Sequence, residues 1–177
     1  AGTFTTNVVK AAPVKWDRQI VESKIKSQAV IINSGIANAC TGEEGMCCCL
    51  ETAKAAAEAL KIPADGVLIG STGVIGMQMP IEKLKQGIQI LAKEKQSGAV
   101  AANAAAKAIM TTDTKEKEVA VTVEIGGKIV TIGGMAKGSG MIHPNMCTML
   151  AFLTTDAVIS RKALKAALRA DVEETYN

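Results

Sequence analysis

Hydrophobic positions in the first half of this chain alternate between short apolar runs and longer helical patterns. Residues 28–33 form an apolar, β-branched run that predicts a buried strand, and the Asn-Ser-Gly that ends it predicts a turn. Residues 46–61 are rich in Ala, Leu, Glu and Lys and predict a helix, closed by the Pro and Gly that follow. A second buried strand is predicted at 67–70, and it leads into a Gly-rich stretch at 71–76.

The middle of the chain predicts two more helices and a hairpin. Pro80 suits the first position of a helix, where its missing N–H is not needed. The apolar face of that helix consists of Ile81, Leu84, Ile88 and Leu91. The Ala-rich segment 98–109 predicts a closely packed helix, and the alternating runs at 118–125 and 128–132 predict a β-hairpin around a Gly-Gly turn.

The end of the chain predicts a strand and a helix. Residues 152–156 are typical of a strand, and Ser160 can cap the helix after it. The residues of that helix expected to face the core are Leu164, Ala167, Leu168 and Val172. Strands and helices are mixed along the whole chain without an internal repeat, which predicts an α/β fold of layered sheets covered by helices.

Composition narrows the class of protein. The chain has 177 residues, of which 48% are apolar and only 2% aromatic, so one domain with a core of Ala, Val, Ile, Leu and Met is expected. The net charge is +3, and the basic residues are not interleaved with aromatic ones, which argues against nucleic-acid binding. No stretch reaches the ~20 apolar residues that cross a bilayer, and the first residues do not resemble a signal peptide.

The five cysteines favour a reducing compartment, the cytoplasm or an organelle matrix. They are Cys40, Cys47, Cys48, Cys49 and Cys147. Three consecutive residues of a helix point about 100° apart and cannot converge on one ion, so no metal site is predicted. The pattern favours cysteines that act as small apolar side chains filling the core.

The segment 137–150, KGSGMIHPNMCTML, is the most informative for chemistry. It places Thr148 after a Gly-rich loop and before an apolar run. A threonine hydroxyl needs an adjacent base, and cutting the preceding peptide bond frees the residue's own α-amino group, with a pKa of about 8, for that role. The same spacing is also typical of a simple turn that leads into a buried strand.

Several motifs together resemble one family. They are AAPV at 11–14, NSGIANACTG at 33–42, STGVIG at 71–76, IMTTDT at 109–114, GGMAKGSGMIHPNMCTML at 133–150 and TTDA at 154–157. In this order over nearly the whole chain, they resemble the ornithine acetyltransferase (glutamate N-acetyltransferase) family of arginine biosynthesis. The resemblance implies a layered architecture with the nucleophile on a buried strand. It also implies a precursor that cuts itself at Cys147–Thr148, where Cys stands in place of the family's usual Ala.

The resemblance assigns roles to particular residues. Thr148 would be the nucleophile that carries acetyl from N-acetylornithine to glutamate. Thr72 and Gly73 would form the oxyanion hole. Lys137 would bind substrate together with a threonine of the 109–114 motif, for which Thr111 is favoured and Thr112 is the alternative. Without the family, simpler interpretations apply to the same residues. Thr72 and Gly73 fit an ordinary Gly turn, which lacks the Gly-Lys ending of a phosphate loop. Lys137 fits a solvated lysine, and the two threonines fit a helix cap.

These motifs contain three further polar residues of interest. Asp113 could order the loop that contains the two threonines. His143 is the only histidine, and a packing role is favoured over catalysis because the α-amine already supplies a base. Cys147 is interpreted as the residue before the cut rather than as a nucleophile.

The resemblance also implies that the sequence is a fragment. Residues 1–147 would be most of an α chain, and 148–177 the start of a β chain that supplies further substrate groups. No cofactor is expected, although acetyl-CoA could serve as a second acetyl donor. The expected partners are the rest of the β chain in an α2β2 assembly, without nucleic acid or membrane. An amidohydrolase or aminopeptidase with the same nucleophile, and an inactive fragment, stay open as alternatives.

Overall fold

The computed structural model describes residues 1–23 and 25–176, which divide into two compact units. The first unit comprises Phe4–Ala101, and the second comprises Ala1–Thr3 with the chain from Ala102 onward. None of the helices among the described residues has the length and apolar character needed to cross a membrane.

The first unit is a βαβ arrangement with one further helix before it and one after it in the chain. Its elements are α1 (Ala12–Glu22), β1 (Ala29–Ile36), α2 (Gly42–Leu60), a 3-10 turn (Ala64–Gly66), β2 (Val67–Val74) and α3 (Ile81–Glu94). Strands β1 and β2 are parallel and in register from Ala29↔Val67 to Ile36↔Val74. Parallel strands need a crossover connection, and α2 provides it.

The core of this unit is built from small side chains. Its buried members are Ala12, Cys49, Ala53, Ala56, Val67, Ile69 and Ile88. The prediction that the cysteines fill the core is right for Cys48 and Cys49, which are buried. Burial raises the pKa of the Cys49 thiol to about 12. It is wrong for Cys40, Cys47 and Cys147, which are exposed. On the predicted apolar face of α3, Ile88 is buried, but Leu91 is exposed and that part of the prediction is wrong.

Helix α1, which the hydrophobic pattern did not predict, completes the outer edge of β2. Trp16 Nε1 donates to the Val67 carbonyl at 3.0 Å, and Asp17 Oδ1 accepts from the Ile69 N–H at 2.8 Å. These two side chains occupy edge groups that would otherwise need a further strand. Burial raises the pKa of Asp17 to about 7, although the Ile69 hydrogen bond acts to lower it.

We expect Asp17 to make the stability of the first unit depend on pH. Its carboxyl binds a proton more tightly in the folded chain than in the unfolded one, where the pKa is about 4. Its contribution is therefore complete below about pH 4 and is lost as the pH rises through the folded value of about 7. Asp17→Asn, which can still accept from Ile69, should remove a fall of up to about 3 kcal/mol in the free energy of unfolding between pH 5 and pH 8.

Urea denaturation at the two pH values checks this expectation. Asp65→Asn, which alters an exposed carboxylate of the same unit, is the matched control and should retain the fall. An equal loss of stability with pH in wild type and Asp17→Asn would contradict the assignment.

The second unit contains an antiparallel sheet and two helices. Its elements are α4 (Ala99–Ala108, which begins in the first unit), β3 (Lys117–Ile125), β4 (Lys128–Lys137), β5 (Leu150–Thr155) and α5 (Arg161–Thr175). The sheet order is β3-β4-β5. The predicted hairpin is confirmed, and both residues of its Gly126-Gly127 turn have positive φ, as two-residue hairpin turns require.

Register gives this sheet one apolar face, since opposed residues of an antiparallel pair point to the same side. Six side chains of that face are exposed: Val119, Val121, Val123, Ile125, Ile132 and Leu153. The cap of α5 is as predicted, with Ser160 Oγ accepting from the Ala163 N–H at 3.2 Å. On the predicted core face of α5, Val172 is buried, but Ala167 is exposed and that part of the prediction is wrong.

Candidate functional site

A tight turn precedes the bond at which cleavage is predicted. The Cys147 N–H donates to the Pro144 carbonyl at 2.9 Å, and the two residues between them, Asn145 and Met146, have φ of 51° and 59°. His143 is left-handed as well, with φ 48°. Residues other than glycine rarely adopt this left-handed backbone conformation, which costs about 1–3 kcal/mol for each of them. The chain therefore reaches Cys147, which is exposed, through a strained segment.

Thr148 follows this turn and lies two residues before β5. It is half-buried, in a loop, so the expected position on a buried strand is wrong by two residues. The pairing of β5 with β4 begins at Leu150, which lies opposite Lys137. Two residues of chain reach at most about 7 Å. Thr148 is thus held close to the end of β4 that carries Lys137.

Lys137 is a buried cation at the end of β4. The residue is only 3% exposed, and its ammonium group forms no hydrogen bond or ion pair with any residue that the structure describes. Burial lowers its pKa, and nearby Lys117 acts in the same direction, whereas the charge of Asp113 raises it. A buried charge without a direct partner is unfavourable for folding. Such a group is suited to receive an anionic ligand.

Asp113 connects the threonine motif with the segment after Lys137. Its Oδ1 accepts from the Gly138 N–H at 2.9 Å and from the Lys117 ammonium, and Oδ2 accepts from the Thr111 N–H at 3.4 Å. Burial alone would raise the pKa of Asp113, but these hydrogen bonds outweigh it and lower the pKa to about 2. The expectation that Asp113 orders this loop agrees with these contacts.

Thr111, the favoured substrate-binding threonine, and Thr112, its alternative, differ in their contacts. Thr112 Oγ1 lies 2.9 Å from Ser139 Oγ, so this hydroxyl is engaged in the loop itself. The Thr111 hydroxyl forms no hydrogen bond within the described chain, and the residue is exposed. Thr111 is therefore the better placed of the two to contact a ligand. His143 is exposed and shows no carboxylate partner among the described residues.

Thr72 and Gly73 lie at the carboxyl end of β2 in the first unit. The Val67 carbonyl and the Ile69 N–H bond to side chains of α1, on the edge of β2 away from β1. Because the backbone groups of alternate residues point to the same edge of a strand, the Gly73 N–H lies on that outer edge as well. The Thr72 side chain is 6% exposed, and its hydroxyl forms no hydrogen bond with a described residue. The Thr72 hydroxyl is thus a buried side-chain donor, and the Gly73 N–H is a backbone donor at the strand edge.

Glycine at 73 also has a packing reason. A Cβ built there would lie 2.2 Å from the Gly35 carbonyl carbon and 2.3 Å from its oxygen, and φ is 132°. We expect Gly73→Ala to destabilise the first unit by more than about 3 kcal/mol, because backbone atoms of β1 must move. At Gly76, with φ 83° and nothing within 4 Å, Ala should cost only about 1 kcal/mol. Chemical denaturation compares the two, and equal losses would contradict the steric explanation.

A polar network that the sequence did not predict supports the loop after β1. Asn38, with φ 49°, donates to the Gly45 carbonyl at 3.0 Å and accepts from Thr41 Oγ1 at 2.7 Å. A Cβ at Gly45 would lie 2.0 Å from Thr41 Oγ1, so this close approach requires glycine. The clustering of Asn, Thr and Gly in the segment 38–45 was the only available signal.

Comparison with known proteins identifies the family. The model of the ArgJ family matches residues 1–177. The chain belongs to the ArgJ family. Among curated relatives, the arginine biosynthesis bifunctional protein ArgJ of Thermotoga neapolitana is 52% identical over 100% of this chain, and that of Listeria monocytogenes (strain EGD-e) is 49% identical over the same share. The chain spans 44% of the length of each of these two ArgJ proteins.

Solved structures of ArgJ proteins share the fold. The crystal structure of the Bacillus halodurans ArgJ protein matches with a TM-score of 0.76 at 43% identity, covering 85% of this chain and 76% of that one. Ornithine acetyltransferase of Mycobacterium tuberculosis, in complex with ornithine, matches with a TM-score of 0.72 at 39% identity, covering 85% and 77%. These matches confirm the predicted family and the α/β fold class. The roles of individual residues stay predictions.

Proposed function

We propose that the full-length protein carrying this chain transfers the acetyl group of N-acetylornithine to glutamate in arginine biosynthesis. The observation that carries the proposal is the placement of Lys137. A buried ammonium without a direct partner lies at the end of β4, opposite the start of the strand that Thr148 precedes, in a chain of the ArgJ family. Both substrates bear carboxylates, which such a cation can bind.

The proposed chemistry begins with cleavage of the Cys147–Thr148 bond. The Thr148 hydroxyl attacks the Cys147 carbonyl carbon, the C–N bond breaks, and the acyl group moves to the threonine oxygen as an ester. Water then hydrolyses this ester. The products are a carboxylate at Cys147 and a Thr148 that has both a free hydroxyl and a free α-amine.

Acetyl transfer then proceeds through the same hydroxyl. The α-amine of Thr148 takes the hydroxyl proton as the oxygen attacks the acetyl carbonyl of N-acetylornithine, and the proton passes to the ornithine amine as it leaves. The acetyl group is now an ester of Thr148. The amine of glutamate attacks this ester, the threonine oxygen recovers a proton, and N-acetylglutamate leaves.

The resemblance to the family implies roles for three further groups, two in the first unit and one in the second. The Thr72 hydroxyl and the Gly73 N–H would donate to the carbonyl oxygen as negative charge develops on it, and preorganised donors of this kind are worth about 3–4 kcal/mol each. The exposed hydroxyl of Thr111 would contact the substrate, in support of Lys137. Thr112 is assigned to the loop, because its hydroxyl already lies against Ser139.

The proposal extends to partners and location. The remainder of a longer chain would supply further substrate groups in an α2β2 assembly, in the cytoplasm or an organelle matrix. The relatives from Thermotoga and Listeria are named bifunctional proteins. This supports a second reaction here, in which acetyl-CoA replaces N-acetylornithine as the donor. No cofactor is required by either reaction.

A label-transfer assay on the full-length protein tests the proposed function. N-acetylornithine labelled in the acetyl group is supplied with and without unlabelled glutamate. We expect label in N-acetylglutamate, with release of one ornithine for each acetyl group transferred. Release of labelled acetate at the same rate without glutamate would overturn the proposal in favour of an amidohydrolase.

A further inference from the structure

The carboxylate of Asp113 lies at the junction of three segments of the second unit. Its side chain is 1% exposed. One oxygen accepts from the Gly138 N–H and from Lys117, and the other accepts from the Thr111 N–H. The bond to Gly138 spans 25 residues of sequence, so it ties the threonine motif to the residue directly after Lys137.

Gly138 in turn packs on the segment that carries Thr148. A Cβ built on Gly138 would lie 3.0 Å from Cε, 3.2 Å from Sδ and 3.9 Å from Cα of Met149. The φ of Gly138 is 151°, and this turn takes the chain away from β4 just after Lys137. One hydrogen bond to Gly138 therefore restrains the residue beside Lys137 and the residue beside Thr148 together.

A second contact reinforces this connection. Thr112 Oγ1 and Ser139 Oγ lie 2.9 Å apart. Thr112 directly precedes Asp113, and Ser139 directly follows Gly138. The hydroxyl pair is exposed, whereas the carboxylate is buried. A charge-assisted hydrogen bond shielded from water is the stronger of the two restraints. Asp113 is thus the residue on which the geometry of this loop depends most.

We propose that Asp113 is a positioning residue, which acts through Gly138 to hold Lys137 and the Thr148 segment in the geometry that acetyl transfer requires. The inference rests on the proposed function for its kinetic consequence. Asp113 itself touches neither substrate nor the reacting atoms in this scheme. Its removal should act on catalysis because a small misplacement of reacting groups lowers the rate by orders of magnitude.

The same sheet offers a matched control. Asp156 Oδ1 accepts from the Thr131 N–H at 2.8 Å, which is also a carboxylate bond across 25 residues to the backbone of β4. This bond lies at the other part of the strand, distant in sequence from Lys137 and Thr148. Asp156→Ala therefore controls for the loss of a long-range carboxylate bond to this strand region, although Asp156 is exposed and Asp113 is buried.

The experiment compares Asp113→Ala, Asp113→Asn and Asp156→Ala in the full-length protein. For each variant, kcat and KM are measured with N-acetylornithine and glutamate. We expect Asp113→Ala to lower kcat/KM at least about tenfold, with a rise in KM for both substrates because Lys137 is displaced. Asp113→Asn keeps an oxygen that can accept from Gly138 and should stay within about threefold of wild type, and Asp156→Ala within about twofold.

Hydrogen exchange provides a readout that does not depend on activity. In Asp113→Ala, the amides of residues 138–140 should exchange faster than in wild type, and in Asp156→Ala they should not. An inactive wild type would defeat the proposed function, and the exchange result would still decide the role of Asp113. If Asp113→Ala gives no folded protein, Asp113→Ser serves the same comparison, because its hydroxyl is too short to reach Gly138.

Two results would overturn the inference. One is that Asp113→Ala, or Asp113→Ser in its place, matches Asp156→Ala in kcat, in KM and in exchange at 138–140. The other is that Asp113→Asn is as impaired as Asp113→Ala, which would show that the charge and second oxygen of Asp113, on Lys117 and Thr111, matter instead of the bond to Gly138.

Discussion

Thr148→Ala should leave the full-length protein as one uncut polypeptide without acetyl-transfer activity. The substitution removes the oxygen that attacks the Cys147 carbonyl, so neither the ester nor the free α-amine can form. Without that amine the site also lacks its base. Because one residue supplies nucleophile and base, we expect loss of activity to the detection limit. Intact mass together with the label-transfer assay measures both effects.

Two variants make this result specific. Thr148→Ser retains a hydroxyl and should still cut and transfer acetyl. Thr154→Ala removes an exposed hydroxyl from β5 of the same segment and should behave as wild type in both assays. Cleavage of Thr148→Ala into the same two fragments as wild type would contradict the account, since another group would then break the bond.

Lys137→Met should lower kcat/KM by at least about a hundredfold, mainly through KM. Removal of one partner of a buried charge pair costs several kcal/mol, and here the partner left unpaired would be the substrate carboxylate. The same variant should be as stable as wild type or about 1–2 kcal/mol more stable, because a buried cation without a direct partner is replaced by an apolar side chain. Steady-state kinetics and urea denaturation measure the two effects.

Opposite signs for activity and stability distinguish a binding role from a structural one. Lys128→Met, at the exposed start of the same strand, is the matched control and should change neither quantity appreciably. A Lys137→Met protein that is less stable and retains its KM for both substrates would show that Lys137 supports the fold instead.

The sequence predicted most elements of the fold but misplaced several ends. The segment Asn33-Ser34-Gly35 predicts a turn, whereas β1 continues to Ile36 and β2 continues through the 71–74 segment. The extension depends on Gly35 lying opposite Gly73, which lets the two backbones approach closely. Turn propensity depends only on neighbouring residues, so it gives no information about a partner glycine 38 positions away.

The role of α1 shows a different limit. No helix was predicted at Ala12–Glu22, a segment of 11 residues with a proline at its start. Its importance comes from Trp16 and Asp17, which bond to backbone groups of β2 more than 50 residues away. The raised pKa of Asp17 is a consequence of that burial and has no counterpart in the local sequence.

The candidate site was indicated by motifs, and the structure adds the contacts between them. The sequence favoured Thr111 and left Thr112 as an alternative, and the contact of Thr112 with Ser139 adds a physical difference between them. The burial of Lys137 was not predicted either, because a lysine in a Gly-rich segment is normally solvated. Its burial follows from its position at the end of β4, opposite Leu150.

The most direct test of the account is to trap the acetyl group on the enzyme. Full-length protein is mixed with N-acetylornithine in the absence of glutamate, quenched in acid, digested and analysed by mass spectrometry. We predict one acetyl group on the peptide that begins at Thr148, released by hydroxylamine as an ester is, and lost when glutamate is added before the quench. An acetyl group on any other residue, or an unmodified Thr148 peptide while N-acetylglutamate accumulates, would contradict the central claim that the Thr148 hydroxyl carries the acetyl group.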